Sequence, residues 1–316
     1  MLTLELIREM ARALGFERVA ATDASPTPAP PDDAHPQARS LACEPRDILP
    51  GARSVLVLAM PYRPYRRRAG EAAVDAYYVA SNRAHENARS LADQLAARGA
   101  QAVMTSALRT KPLAVRAGLG RMGRNGLVAV GEMGTRVSLQ VIVTDLPLAA
   151  RSDDWALDER CVNCHICEAA CPGGALRGDG SLDIGRCVRA QPENLPLPAF
   201  MRPMTGASLL GCDLCQRACP RNARVGEADM PEALARALAL DRLLTGDYRA
   251  LTPWLGKNNA RRLRLMNRAA LAAANEGRAD LLPLLDALGD APEPVASHAR
   301  WSADRLRGAP DDEHNE

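Results

Sequence analysis

Residues 161–172 read Cys-Val-Asn-Cys-His-Ile-Cys-Glu-Ala-Ala-Cys-Pro, a C-x2-C-x2-C-x3-C-P run around which the rest of the chain is interpreted. A second run, C-x2-C-x3-C-P, occupies residues 212–220, and Cys187 stands alone between the two runs. Eight of the nine cysteines therefore lie within residues 161–219, whereas a hydrophobic core would scatter its cysteines along the chain. Clustered thiols at these spacings predict a metal or redox centre.

The first spacing is typical of bacterial ferredoxins, in which the fourth cysteine of the run serves the other [4Fe–4S] cluster. The second run lacks a leading cysteine, and Cys187 restores the number needed for two clusters. We call this exchange, in which the last cysteine of each run binds the cluster of the other run, the crossover rule. The rule assigns one cluster to Cys161, Cys164, Cys167 and Cys219. It assigns the other to Cys171, Cys187, Cys212 and Cys215.

Structural zinc in two four-thiolate sites is the alternative, but zinc sites favour paired C-x2-C knuckles without a following proline. His165 lies inside the first run, where we expect a surface residue rather than a ligand. Cys43 lies far from both runs and is expected to be a partly buried structural thiol.

The composition indicates a folded protein: 316 residues are 47% hydrophobic and 25% charged, with a formal net charge of +2. These values exclude a disordered chain, a collagen-like fibre and a highly charged nucleic-acid tail. No apolar run approaches the roughly 18 residues of a membrane span, and the acidic residues of the N-terminal segment do not suit a signal peptide. We therefore predict a cytoplasmic protein with no membrane partner, in which reduced cysteines favour metal over disulfides.

Three domains are predicted. Short apolar runs at 54–60, 102–104 and 137–143 read as strands, and they alternate with helices predicted over 1–20 and 72–99. This alternation indicates an α/β domain over 1–150, interrupted by a proline-rich connector at 25–36. Residues 151–227 are predicted to form a ferredoxin-like domain in which metal replaces a hydrophobic core.

Residues 228–316 are predicted to form short amphipathic helices, which suit a small HEAT-like repeat, and to end in an acidic tail. One helix of this third domain is expected to carry an apolar face. Its members are Leu263, Met266, Ala270 and Ala273.

A glycine-rich loop precedes the cysteines: residues 117–127 read Ala-Gly-Leu-Gly-Arg-Met-Gly-Arg-Asn-Gly-Leu. Gly118, Gly120 and Gly123 have the G-x-G-x-x-G spacing of a dinucleotide-binding loop. Such a loop follows a strand and is matched by an acid about 20 residues later, and neither feature is predicted here. Dinucleotide binding is therefore the disfavoured alternative.

Together, the loop and the order of the cysteines resemble the epoxyqueuosine reductase family. That family carries an Ala-Gly-Leu-Gly segment, a strand ending in Thr-Asp-Leu (144–146 here) and a Gly-Cys-Asp-x-Cys-Gln-x-x-Cys-Pro segment (211–220 here). Residues 49–55 resemble its entry strand, while 267–271 and 295–301 resemble its HEAT-like tail. The resemblance therefore extends over most of the chain.

The resemblance implies an α/β domain that holds cobalamin facing two [4Fe–4S] clusters, a layout also found in reductive dehalogenases. It implies that the clusters reduce the cobalt, which then removes the epoxide oxygen of epoxyqueuosine in tRNA. The cofactors expected are cobalamin and two [4Fe–4S] clusters, and the partners are tRNA and an electron donor that the sequence does not identify. Cofactor-binding residues are expected in the glycine-rich loop, namely Gly118, Gly120, Gly123 and Asn125.

One departure from the family affects the chemistry. The family's proposed proton donor is an aspartate at a fixed distance before the glycine-rich loop, where this chain has Met104, and no carboxylate occurs from 97 to 131. Methionine cannot donate a proton, so another group would have to act as the acid. Met104 therefore favours a diverged paralogue with another substrate as an alternative to epoxyqueuosine reduction. A separate alternative, of a different class, is an electron carrier that reduces a partner's corrinoid.

Arginines 66–68, with Arg261, Arg262, Arg264 and Arg268, are candidates for contacts with tRNA phosphates. A solvated charged face explains them equally well. Aromatic residues make up only 3% of the chain, which leaves few platforms for stacking unpaired bases.

Overall fold

The computed structural model describes residues 2–28, 41–148, 157–192 and 194–308. Most of the predicted connector (25–36) and the acidic tail lie outside these residues. The chain folds into two compact units, each assembled from three segments. Unit 1 comprises Met1–Arg63, Ala80–Ile184 and Leu214–Gly226, and unit 2 comprises Pro64–Val79, Gly185–Asp213 and Glu227–Glu316. The three-domain division stays a prediction.

The strands are β1 (Arg18–Asp23), β2 (Ser54–Pro61), β3 (Ala73–Val74), β4 (Ala102–Thr105), β5 (Arg121–Met122), β6 (Val128–Ala129), β7 (Val137–Thr144) and β8 (Ser208–Leu210). The helices are α1 (Leu4–Ala13), α2 (Ala76–Ala96), α3 (Thr110–Arg116), α4 (Ile166–Ala169), α5 (Leu214–Arg217), α6 (Glu232–Ala237), α7 (Leu240–Leu244), α8 (Thr252–Leu255), α9 (Arg262–Asn275), α10 (Leu282–Ala287) and α11 (Val295–Leu306). No helix among the described residues is long and apolar enough to cross a membrane.

Unit 1 is built on a four-stranded sheet of order β1–β2–β7–β4, in which neighbouring strands pair antiparallel. Strand β2 is apolar at nearly every position because both of its faces are covered. Val55 and Val57 pack with Leu113 of α3 on one face. On the other face, Leu56 and Leu58 pack with residues of α1 and α2. The three strands predicted from apolar runs are confirmed.

The prediction of one helix over 1–20 is wrong in its second half. Helix α1 ends at Ala13, and Gly15 follows with φ +86°, a conformation that favours glycine and stops the helix. Phe16 is then fully buried, and β1 continues the chain with alternating burial of Val19 and Ala21. A six-residue edge strand directly after an amphipathic helix gives little periodic signal of its own.

Unit 2 is largely helical, and its core is centred on α9. Leu265 and Ala269 are fully buried there, whereas Leu263 is 48% exposed. The predicted apolar face is therefore right for Met266, Ala270 and Ala273 and wrong for Leu263, which lies in the first turn of the helix. The parallel pair β3–β8 completes the unit. Helices are confirmed in the C-terminal region, and their arrangement as a HEAT-like repeat stays a prediction.

Candidate metal centre

Four cysteines from two distant segments of unit 1 line one cavity. Cys161 ends a short 3-10 turn, Cys167 lies in α4, and Cys219 precedes the turn Pro220–Asn222. The cavity is lined by Cys161, Cys164, Cys167 and Cys219, together with Gly123, Arg124, Asn125, Ala129, Thr135, Pro220 and Arg221. The four cysteines that the crossover rule assigns to the first cluster thus line one cavity, although no three metal-ligating side chains among the described residues are placed to hold a single metal ion.

Two thiols of this cavity, those of Cys167 and Cys219, are in an environment that disfavours the bare thiolate. Burial, followed by the charges of the neighbouring thiolates and Glu168, raises the pKa of Cys167 to about 11. Burial also raises the pKa of Cys219, although the backbone N–H of Arg221 opposes this rise. A cationic centre would stabilise the four thiolates, since metal binding requires deprotonated ligands and releases their protons. The cavity therefore suits a metal cluster chemically.

The other four predicted ligands are divided between the units. Cys171 and Cys215 belong to unit 1, and Cys187 and Cys212 belong to unit 2. All four are partly buried cysteines. The backbone N–H of Ala175 donates to Cys171 Sγ at 3.3 Å. Their assignment to a second cluster stays a prediction.

Arg124 connects the glycine-rich loop to the first cysteine run. Its Nε donates to Glu168 Oε1 at 2.5 Å, and its Nη1 lies 3.4 Å from the carbonyl oxygen of Val162. The hydrogen bond from Arg124 lowers the pKa of Glu168, so the carboxylate stays ionised. His165 is exposed, as expected, and its Nδ1 lies 3.0 Å from Glu168 Oε2. These contacts hold the loop and the run together at the cavity.

The glycines of the loop have local structural roles. A Cβ at Gly120 would lie 2.3 Å from the carbonyl oxygen of Ala129, and Gly118 has φ +65°. The loop follows helix α3 and opens into the β5–β6 hairpin, whereas a dinucleotide loop follows a strand and opens a helix. Gly123 and Asn125 lie at the cysteine cavity. Binding of a cofactor by the four predicted loop residues stays a prediction.

Comparison with known proteins agrees with this chemistry. Residues 160–222 match the family model of a 4Fe-4S double cluster binding domain. Over 298 residues the chain is 30% identical to the epoxyqueuosine reductase of Staphylococcus aureus, covering 85% of this chain and 76% of that protein. The chain belongs to the epoxyqueuosine reductase family. Its cysteine region accordingly binds two [4Fe–4S] clusters rather than structural zinc.

Solved structures of the epoxyqueuosine reductases share the fold. The Bacillus subtilis enzyme superposes with a TM-score of 0.78 at 23% identity, covering 96% of this chain and 90% of that one. An epoxyqueuosine reductase solved with an epoxyqueuosine-modified tRNA stem loop gives the same score and identity, with coverages of 99% and 94%.

Met104, at the position where the family places its proposed acid, is part of the core of unit 1. It lies in β4 opposite Ile142, and its partly buried side chain packs against the apolar cluster that contains Ile7 and Leu91. Its surroundings therefore suit a methionine.

A buried polar network, not predicted from the sequence, supports the second cysteine run of this family member. Gln216 Nε2 donates to the backbone carbonyl oxygen of Thr135 at 2.8 Å. Asn222 Nδ2 donates to the backbone carbonyl oxygen of Gln216 at 2.7 Å. Asn222 Oδ1 accepts from Thr135 N at 2.8 Å. Asp158 adds an ion pair to Arg221 at 3.3 Å. In the sequence, this network is indicated only by polar residues within and beside the cysteine runs. Their hydrogen-bond partners cannot be predicted because they are far apart in the chain.

Proposed function

We propose that this protein reduces epoxyqueuosine in tRNA to queuosine, using two [4Fe–4S] clusters and a cobalamin. The observation that carries the proposal is the cavity of Cys161, Cys164, Cys167 and Cys219 in a chain of the epoxyqueuosine reductase family. Conversion of the epoxide to an alkene with release of water consumes two electrons and two protons. Two clusters that each carry one electron match this requirement.

The role of the chain in this reaction is to hold the electron carriers in place. Arg124 fixes the glycine-rich loop against the first cysteine run, and the network around Gln216 fixes the second run. A cobalamin, when bound, would supply the reductive cobalt chemistry that the reaction needs. It enters the proposal through the family resemblance alone, since the glycines of the loop have structural roles that need no cofactor.

The arginine run at 66–68 contributes to tRNA binding in this proposal through its exposed members. Arg67 is bound to the buried carboxylate of Asp213 at 2.8 Å, so its role is structural. Arg66 and Arg68 are about 60% exposed and form long ion pairs of 3.4 and 4.0 Å with Asp229 and Glu71. Such exposed pairs are weak, so both arginines can exchange a carboxylate for a phosphate. We further propose the cytoplasm as the location, an external reductant as the electron donor and a HEAT-like C-terminal tail.

A second function is favoured by Met104. The side chain at this position packs in an apolar cluster, and the nearest stretch of chain, 97–131, has no carboxylate. A paralogue that reduces a different substrate does not need the acid that the family places at this position. The apolar surroundings of Met104 therefore support such a paralogue as the alternative.

The experiment is a single anaerobic assay. Protein reconstituted with iron, sulfide and cobalamin is incubated with tRNA that contains epoxyqueuosine and with a chemical reductant, and the nucleosides are separated by mass. Formation of queuosine is expected, and its loss in Cys219→Ser would show that the clusters are required. If the loaded protein forms no queuosine while an epoxyqueuosine reductase does so in parallel, the paralogue is favoured.

A further inference from the structure

Two hydrogen-bond donors at the cysteine cavity have no partner among the described residues. Asn125 is 7% exposed, and its Oδ1 accepts from Leu127 N at 3.2 Å, which identifies the other atom as the amide nitrogen Nδ2. Nδ2 is buried and makes no hydrogen bond. The Arg221 guanidinium pairs with Asp158 through Nη2 at 3.3 Å, whereas its buried Nε makes no hydrogen bond. Both side chains line the cavity with the four cysteines.

Such donors need an acceptor. Leaving a donor buried and unpaired costs about 1–3 kcal/mol, and more when the group is charged. Native proteins rarely tolerate this, and a common reason for an apparent exception is a bound ion or group. A [4Fe–4S] cluster ligated by four thiolates is an anion whose sulfur atoms accept hydrogen bonds. The two donors therefore fit the group that the cysteines are expected to hold.

We propose that Asn125 Nδ2 and Arg221 Nε donate hydrogen bonds to sulfur atoms of the cluster bound by Cys161, Cys164, Cys167 and Cys219, and thereby raise its reduction potential. This inference rests on the two clusters of the proposed function and assigns a tuning role to two of this chain's residues. Reduction adds negative charge to the cluster. Donors and a guanidinium stabilise the reduced form more than the oxidised form, so the potential rises.

Two charge-conserving variants test the proposal. Arg221→Lys keeps the positive charge and removes the Nε–H group. Asn125→Ser removes the amide nitrogen and keeps a side-chain oxygen able to accept from Leu127 N, as serine does in related turns. The matched control is Arg224→Lys, because Arg224 lies in the same segment, is 82% exposed and pairs with Glu132 outside the cavity.

The measurement is a redox titration of the loaded protein followed by electron paramagnetic resonance, without tRNA or cobalamin. One of the two reduction waves is expected to move to lower potential in each variant and to stay in place in Arg224→Lys. A tenfold fall in the ratio of reduced to oxidised cluster at a fixed potential corresponds to about 59 mV. If both variants hold about eight irons and both waves coincide with those of the wild type, the proposal is wrong.

A second measurement covers the case in which a variant does not load both clusters. Wild-type protein labelled with 15N in asparagine side chains is reduced and examined by pulsed electron paramagnetic resonance. Asn163 lies within the first cysteine run, so the spectrum is also taken on the Asn163→Asp variant. Coupling of a labelled amide nitrogen that remains in this variant supports the proposal, and its absence overturns the role of Asn125. Because neither measurement uses tRNA, failure of the tRNA assay would leave the outcome unchanged.

Discussion

Gly120 offers a direct test of how the hairpin β5–β6 supports the cluster cavity. A Cβ built at this position would lie 2.3 Å from the carbonyl oxygen of Ala129, 2.9 Å from Val128 Cγ1 and 3.0 Å from the carbonyl carbon of Ala129. The closest contact is more than an ångström inside ordinary van der Waals distance. Two of the three contacts are with backbone, which cannot rotate away as a flexible side chain would.

The Gly120→Ala variant should therefore lower the free energy of unfolding by about 1–3 kcal/mol, the usual cost of overpacking. The hairpin also carries Arg124 and Asn125 to the cavity, so its displacement should reduce the iron retained by the protein. The assays are urea unfolding under anaerobic conditions and the iron content of the reconstituted protein after gel filtration.

Gly51→Ala is the matched control, because its Cβ would meet nothing within 4 Å. The control should keep full iron content and leave stability unchanged or raised by about 0.4–1 kcal/mol, because alanine restricts the unfolded chain. If Gly120→Ala is as stable as the control and retains the same iron, the hairpin does not support the cavity in the way described.

The remaining predictions concern unit 2. Burial, followed by the charges of Arg202 and Arg268, lowers the pKa of His298 to about 3. His298 of the unfolded chain takes up a proton below about pH 6.5, whereas His298 of the folded chain takes it up only near pH 3. Between these two pH values, acidification therefore lowers the free energy of unfolding by about 1.4 kcal/mol per pH unit. His298→Gln should remove this contribution in urea unfolding at pH 7 and 5.5, and an unchanged pH dependence would contradict the assignment. Leu265→Ala should cost about 2–5 kcal/mol, whereas Leu263→Ala on the same helix should change stability by less than about 0.5 kcal/mol. Equal effects would contradict the orientation of α9.

The sequence predicted those parts of the fold that carry strong local patterns. The apolar run of β2 is read correctly because both faces of this strand are covered, and α9 is read correctly from its helical period. Strand β1 is not predicted, because a six-residue edge strand directly after an amphipathic helix has too short an alternating pattern to be distinguished from that helix. Leu263 was misplaced because helical spacing alone does not tell a first-turn residue from a core residue.

At the candidate site, spacing within one run predicted the grouping of Cys161, Cys164 and Cys167, and the ferredoxin rule added Cys219. The structure brings these four to one cavity. The contacts of Gln216 and Asn222 with Thr135 join residues more than 80 positions apart. No local pattern contains such contacts, so the residues that support the site were found only in the folded chain.

The most direct test of the central claim, that the cysteine region holds two clusters, is the iron and acid-labile sulfide content of anaerobically reconstituted protein and its cysteine variants. The wild type should contain about eight irons, and Cys219→Ser and Cys187→Ser should each retain about four. Cys43 lies outside both cysteine runs, so the Cys43→Ser variant should keep about eight irons. About four irons or stoichiometric zinc in the wild type, or an unchanged iron content in Cys219→Ser, would contradict the account.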